Sequence, residues 1–394
     1  MGESRAYFAR SLSKIQIMQE KHLHIISFDV PFPADYGGVI DVFHKVKALH
    51  KKGIKIHRHI FQYGREQADI LESFCEEVNY YPRKTGIMYN LSSTPYIILS
   101  RICGKLIHKI KSDNYPILCE GMHTCGMIQS PILENRKFIY RSSNVEHHYY
   151  NGLANNEKNI FKRYYYRNEA KKLLNWEFHL KKAELFLTVS KDEQDYYKEV
   201  FPDNKVENIY SFFEQDNISF SSEKSKDKYI LFHGKLSVQE NITTANYIIK
   251  EIAPNSAYKF IIAGMNPDRS IYSNAKQIDN IKIIANPDDA EMKAIISEAH
   301  INLLLTDQAT GLKLKLLNSL YQGKFCVVNN NMLAGTDLSK CVEIANTKEE
   351  ILKKIKELMQ EEFTIDTYNK RKALIPHEFD NEDKADRLIE LIFN

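Results

Sequence analysis

The sequence predicts an α/β protein of two tandem doubly wound domains, with loops from both facing an interdomain cleft. Three observations carry that expectation. The 394 residues are too many for one ordinary core and correspond to about two domains. Short apolar runs alternate with helical patterns from end to end, the arrangement of parallel strands joined by helical crossovers. The runs are apolar at successive positions, as strands covered on both faces require.

In the first half the strand candidates are "LHIISF", "KIHRHIF", "EVNYY", "PILCE", "KFIYRS" and "LFLTVS". Between the first two, "VIDVFHKVKALHKKG" sets Val39, Phe43, Val46 and Leu49 at helical spacing, and Gly53 closes the helix. The second half repeats the scheme with "KYILFHG", "KFIIAG", "IKIIAN", "INLLLT", "FCVVNN" and "CVEIA". Residues 218–227 are polar and rich in serine and lysine, and mark the boundary region. The division expected is an N-terminal extension over 1–21, a first domain over 22–212 and a second over 213–376. Pro376 breaks the helix before it, and the segment 377–394 ends in a helix free to cross back onto the first domain.

A hydrophobic content of 43% with 27% charged residues is that of a folded chain. A net charge of +3 is small for this length and gives no ground for a nucleic-acid partner. No run approaches the roughly 18 apolar residues of a membrane span. The stretch "MGESRAYFARSLSKIQIMQEKH" has no apolar signal core, and six cysteines lie scattered without a framework. Both features point to a cytoplasmic protein with reduced thiols. Cys119, His123 and Cys125 lack a fourth ligand, so no metal site is expected.

Three loops follow strands and carry the chemistry. "FDVPFPADYGGVID" places Gly37 and Gly38 where a strand hands over to a helix. Glycines there serve either a plain tight turn or the close approach of a phosphate or sugar to a helix N-terminus. "HGKLSVQEN" puts Gly234, Lys235, Ser237, Glu240 and Asn241 after the first strand of the second half. This is either an ordinary capped loop or a cationic phosphate site. "DQATGLKLKLLNSLYQGKFCVV" sets Thr310 and Gly311 before a helix whose early turn holds Lys313 and Lys315. Cations oppose the helix dipole at that end, a conflict that bound phosphate oxygens relieve; the plainer alternative is a solvated pair.

Together these loops resemble the retaining GT-B glycosyltransferases, specifically glycosyltransferase family 4. "RSSNVEHHYY" (141–150) looks like the "R-x-H-N-V-E-H" stretch of such enzymes, and "LTVSKDEQDYY" like their "VS-x-x-D/E" segment. The resemblance covers about residues 22 to 390. It implies a UDP- or GDP-linked sugar donor held mainly by the second domain, and a glycan or polyprenyl-linked acceptor held mainly by the first. No cofactor beyond the donor is implied. Gly37, Gly38 and Gly234 would then face the donor phosphates or sugar, with Lys235 where the family has a phosphate-binding arginine. Gly264 and Asn286 fall where the base is cradled, and His123 near the family's sugar-binding histidine. Thr310 and Asn318 stand where the family carries paired glutamates, and Ser143 where it has the histidine of "HNVEH".

The implied reaction is retaining and metal-independent, with Lys235, Lys313, Lys315 and main-chain amides stabilising the departing diphosphate. Glu146 and His147 are candidates to orient sugar or acceptor. Arg65, after a strand, either meets an acceptor phosphate or is a surface arginine. The helix "NIFKRYYYRNEAKKLLNWEFHLKK", with the lone Trp176, either lies on an anionic membrane surface or shows a solvated face over a core stripe. The first option would place the enzyme on the cytoplasmic face of the membrane in glycan or surface-polysaccharide synthesis. Two alternatives share the fold: a nucleotide-sugar epimerase or hydrolase, and a catalytically silent binding subunit.

Overall fold

The computed structural model describes residues 20–34, 37–215, 227–307 and 313–394. Seven strands form the first sheet: β1 (His22–Ser27), β2 (Lys55–Gln62), β3 (Glu77–Pro82), β4 (Ile117–Glu120), β5 (Phe138–Arg141), β6 (Leu185–Thr188) and β7 (Lys205–Asn208). Six form the second: β8 (Tyr229–His233), β9 (Lys259–Gly264), β10 (Ile281–Ala285), β11 (Ile301–Leu304), β12 (Phe325–Val328) and β13 (Glu343–Ile344). All neighbouring strands run parallel. The doubly wound expectation is therefore met. β7 had no counterpart among the strand candidates: "KVEN" is a short, polar edge strand and gives no apolar run.

The strand orders are β3-β2-β1-β4-β5-β6-β7 and β10-β9-β8-β11-β12-β13. In each sheet the winding reverses direction beside its first strand, between β1 and β4 and between β8 and β11. Ligands of such sheets bind outside the carboxyl ends of the strands at that reversal. The four loops that matter are thus those after β1, β4, β8 and β11.

Six helices shape the cleft and its flanks: α1 (Gly37–Lys51), α2 (Glu146–Asn156), α3 (Ile160–Glu177), α4 (Gln239–Tyr247), α5 (Leu314–Gln322) and α6 (Asn381–Phe393). α1 buries Val39, Val46 and Leu49 of the stripe read from the sequence, with Val42 buried beside them and Phe43 only half-buried. Asp380 caps α6 by accepting from the amides of Glu382 and Asp383, and α6 packs Ala385, Leu388, Leu391 and Ile392 against Leu23, Ile25, Leu49 and Phe212. Lys52 holds it at the surface through Asp386 at 2.7 Å.

The connection between the sheets divides its side chains between the two cores. Ile209 and Phe212 enter the core beneath β1, whereas Tyr210 and Phe213 enter the core beneath β11 and α5. Both cores grip the same short segment.

Candidate functional site: a cleft between two winding reversals

A cleft of about 780 Å³ lies between the two sheets and is lined from both. The first sheet contributes Gly37, Gly38, Glu120, His123 and Glu146; the second contributes Gly234, Lys235, Lys313, Lys315 and Asn318. Most of these residues belong to the loops after β1, β4, β8 and β11 or to the helices that follow them, while Glu120 ends β4 and Glu146 opens the helix after β5.

Gly37 is the first residue of α1. A Cβ built on it meets nothing within 4 Å, so no crowding by the protein demands glycine there. The free space lies at the amino end of a fifteen-residue helix, whose amides and dipole favour an anion. Gly264 is different. Its φ is +157° and a Cβ would stand 1.7 Å from the carbonyl oxygen of Gly234, so its glycine lets two loops touch. Asn286, at φ +52°, braces the same turn by accepting from the Asn266 amide at 2.6 Å. Neither Gly264 nor Asn286 lines the cleft, since both end strands on the outer side of the reversal. Thr310 and Gly311 lie outside the described residues.

On the second sheet, Lys315 sits in the first turn of α5, and Lys313 precedes that helix as its N-cap. Lys315 Nζ donates to Asn241 Oδ1 at 3.2 Å and stands 5.5 Å from the Phe232 ring. Burial pushes its ammonium down to about 8, with Lys313 pushing the same way and Glu240 opposing. Asn241, in the first turn of α4, also donates to the Lys235 carbonyl at 3.1 Å, so one amide positions two loops. Asn318 Oδ1 is buried and meets no hydrogen-bond donor among the described residues.

On the first sheet, Gly121 at φ +71° turns the chain after β4 and sets His123 over the cleft, against Phe28 at 5.1 Å between ring centres. His123 Nδ1 lies 3.8 Å from Glu146 Oε1, too far for a hydrogen bond. Burial, with the nearby Arg101 and Arg83, holds the imidazole well below its ordinary value, so it is neutral. Burial raises the Glu146 carboxyl to about 8 against the opposing Ser143 hydroxyl, so it carries its proton at pH 7. The pair presents neutral hydrogen-bonding groups.

His147 follows Glu146 but does not line the cleft. One helical residue on, its side chain turns about 100° away, toward Glu177 at 3.7 Å and Tyr196. Arg65 lies at a separate hollow with Phe32, Pro33 and Asp69, and its guanidinium donates to the Pro33 carbonyl. It lies beyond the end of β2, one strand outward from the reversal.

No family model matches the chain. An uncharacterized 44.6 kDa protein in the cps region of Klebsiella pneumoniae is 26% identical over 359 residues, covering 83% of this chain and 88% of that one. Among solved structures, a glycosyltransferase from Rickettsia africae superposes with a TM-score of 0.65 at 13% identity, covering 95% of this chain and 98% of that one. Anabaena HepE in complex with UDP and glucose gives 0.60 at 11%, covering 94% and 99%. The apo form of a lipopolysaccharide outer core galactosyltransferase gives 0.60 at 9%, covering 94% and 99%. The fold is GT-B.

Beneath the GT-B cleft lies a buried ionic knot that sequence reasoning did not find. Lys45, 1% exposed, donates to Glu120 at 2.7 Å and to Asp41 at 3.1 Å. Arg141 meets Asp41 at 3.2 Å and donates to the Ile209 carbonyl at 2.6 Å. Burial alone would raise the Asp41 carboxyl, but Arg141 and Lys45 hold it down at about 2. The one readable signal was the four-residue spacing of Asp41 and Lys45 on a helix. Tyr149, Tyr150 and Ser142 also line the cleft. Among the described residues no group of three or more His, Cys, Asp or Glu is placed to hold a metal ion, and no helix is long and apolar enough to cross a membrane.

Proposed function

We propose that the protein is a glycosyltransferase that moves a sugar from a nucleoside diphosphate to a glycan or polyprenyl-linked acceptor. The observation that carries this reading is that both winding reversals open on one cleft, with three lysines on one wall and an open helix N-terminus on the other. That arrangement suits a pyrophosphate: ammonium groups and amides are already in place where negative charge develops. The likeness to a structure solved with UDP and glucose and the relative in a capsule (cps) region support it and point to surface-polysaccharide synthesis.

In this reading the bond between the anomeric carbon and the β-phosphate oxygen breaks while the acceptor oxygen attacks from the same face. The acceptor proton passes to the leaving phosphate oxygen, so configuration is retained, as in glycosyltransferase family 4. Lys235, Lys313 and Lys315 take up the leaving group's charge without a metal ion. Neutral His123 and protonated Glu146 hold sugar hydroxyls by hydrogen bonds, and Asn318 offers its unpaired oxygen to the donor. UDP or GDP carries the sugar, and the reaction takes place in the cytoplasm.

Thermal denaturation of the full chain with UDP, GDP, their sugar conjugates and free sugars tests this, because a ligand stabilises only a state that binds it. One diphosphate is expected to raise the midpoint and free sugar to leave it unchanged. No rise with any nucleotide overturns the reading in favour of a silent binding subunit.

A further inference from the structure

Helix α3 already has a partner for one side. Ala170, Leu173 and Trp176 are buried there, together with Glu169 and Glu177, and Leu173 and Trp176 belong to the first domain's core. Trp176 is thus a core residue. The opposite side carries Ile160, Tyr164, Arg167, Lys171 and Leu174, all exposed, and Phe178 continues the same line. Steps of four and three residues make one helical stripe.

That side of the helix is unlike an ordinary solvated face in two respects. Its apolar members are bare: Ile160 is 74% exposed, Phe161 85% and Tyr164 75%. Its charge has one sign, because the carboxylates between 158 and 182, Glu169 and Glu177, are buried while Lys162, Arg167, Lys171, Lys181 and Lys182 are exposed. A short turn beside it, Ile87–Leu91, is tied to α3 by Lys172 donating to the Asn90 carbonyl at 2.8 Å. That turn leaves Met88 and Leu91 73% and 81% exposed.

We infer that the exposed side of α3 docks the protein on a bilayer containing anionic lipids. Apolar and cationic residues alternate along the stripe, whereas a protein interface gathers its apolar residues into a centre with a charged rim. The boundary between headgroups and acyl chains accepts both at once: apolar tips enter it and the long cationic side chains reach phosphate. A second copy of this chain fits poorly, since twofold contact would set the same cations face to face. On the far side of α3, Tyr166 meets Tyr150 at 6.0 Å between ring centres, and Tyr150 lines the cleft. The docking face and the cleft thus lie on different sides of the same helix. The lipid nature of the acceptor rests on the proposed sugar transfer; the docking surface does not.

Co-sedimentation of the full chain with vesicles of phosphatidylcholine alone, and of phosphatidylcholine with phosphatidylglycerol, tests the inference. Binding to the mixed vesicles that weakens with added salt is expected. R167Q/K171Q and F161S/L174S are each expected to weaken it at least about tenfold, since each cation near such a surface contributes on the order of 1 kcal/mol. All of these positions are exposed, and an unchanged thermal midpoint confirms folding. No binding by the wild type, or equal binding by the variants, overturns the inference, as does self-association abolished by the same substitutions. Sedimentation reads no chemistry. A failed nucleotide shift with vesicle binding intact therefore condemns the sugar-transfer reading alone, and the reverse result condemns the docking surface alone.

Discussion

The Asp41 carboxylate accepts the backbone amide of Phe212 at 2.7 Å, tying the helix that opens on the cleft to the segment joining the two sheets. The same carboxylate holds Arg141 and Lys45, so one buried group fixes a strand end, a helix and a connection. Asp41→Ala leaves two buried cations short of a partner and the Phe212 amide unpaired. The expected loss is about 3–5 kcal/mol of stability, read as a lower urea midpoint. A change near zero would show that the knot is not needed.

Gly37→Ala separates folding from binding. Because a Cβ at Gly37 meets nothing within 4 Å, the substitution is expected to leave stability unchanged or raise it by about 0.4–1 kcal/mol through the unfolded chain. The midpoint rise given by the nucleoside diphosphate is expected to shrink, since the added methyl occupies the approach to the α1 amides. Calorimetric titration of both proteins checks this, and equal affinity would remove Gly37 from the site.

Lys315 sets an upper pH limit. Its ammonium titrates at about 8, so the free protein loses that charge as pH rises through 8, and diphosphate affinity is expected to fall over the same interval. Lys315→Ala is expected to lower sugar transfer by about 10²-fold, the usual cost of one charge-stabilising group, and to abolish that pH dependence of binding.

Glu146 is a hydrogen-bond donor below about 8 and a carboxylate above it. Its folded value is raised, so its contribution to stability is complete below the unfolded value near 4.5 and is lost as pH rises through about 8. Glu146→Gln donates at every pH. The variant is expected to hold its melting point between about 4.5 and 8, where that of the wild type falls; parallel profiles of melting point against pH would refute the assignment.

At the other ends of the strands, His24 and His59 form a buried chain. His24 Nε2 meets Asp113 at 3.0 Å, His24 Nδ1 meets His59 at 2.9 Å, and His59 Nδ1 meets the Tyr81 hydroxyl at 3.1 Å. Burial lowers both imidazoles, His59 to about 3, with Asp113 opposing at His24, Glu77 opposing at His59, and His57 and Lys109 adding to the fall at His59. The unfolded chain takes up protons near 6.5 and the folded one does not, so stability is lost as pH falls from 6.5 toward 3. Thermal midpoints measured on acidification are expected to drop in that window, less steeply for His59→Gln.

The architecture was readable because strands covered on both faces are written as short, largely apolar runs, and twelve of the thirteen strands had a counterpart among the runs read from the sequence. The cleft was half readable. Glycines and lysines just after strands can be found from local order, and Gly37, Gly234, Lys235, Lys313 and Lys315 do line it. Pairings across the chain could not be found. Arg141 and Asp41 are 100 residues apart and Lys45 and Glu120 are 75 apart, and no local pattern encodes such partners. His147 and Arg65 carried the right chemistry at the wrong angle: one residue of helical turn, and one strand of displacement, took each away from the cleft.

Because α6 supplies Ala385, Leu388, Leu391 and Ile392 to the core beneath β1, the first half of the polypeptide lacks part of its core until the end of the chain is made. A ribosome that has delivered everything through Gln215 has made a sheet with one flank only partly covered, by α1, awaiting residues that emerge only after the second half. That core is therefore closed by a segment translated after both sheets, and a message truncated before codon 385 leaves the first half without these side chains.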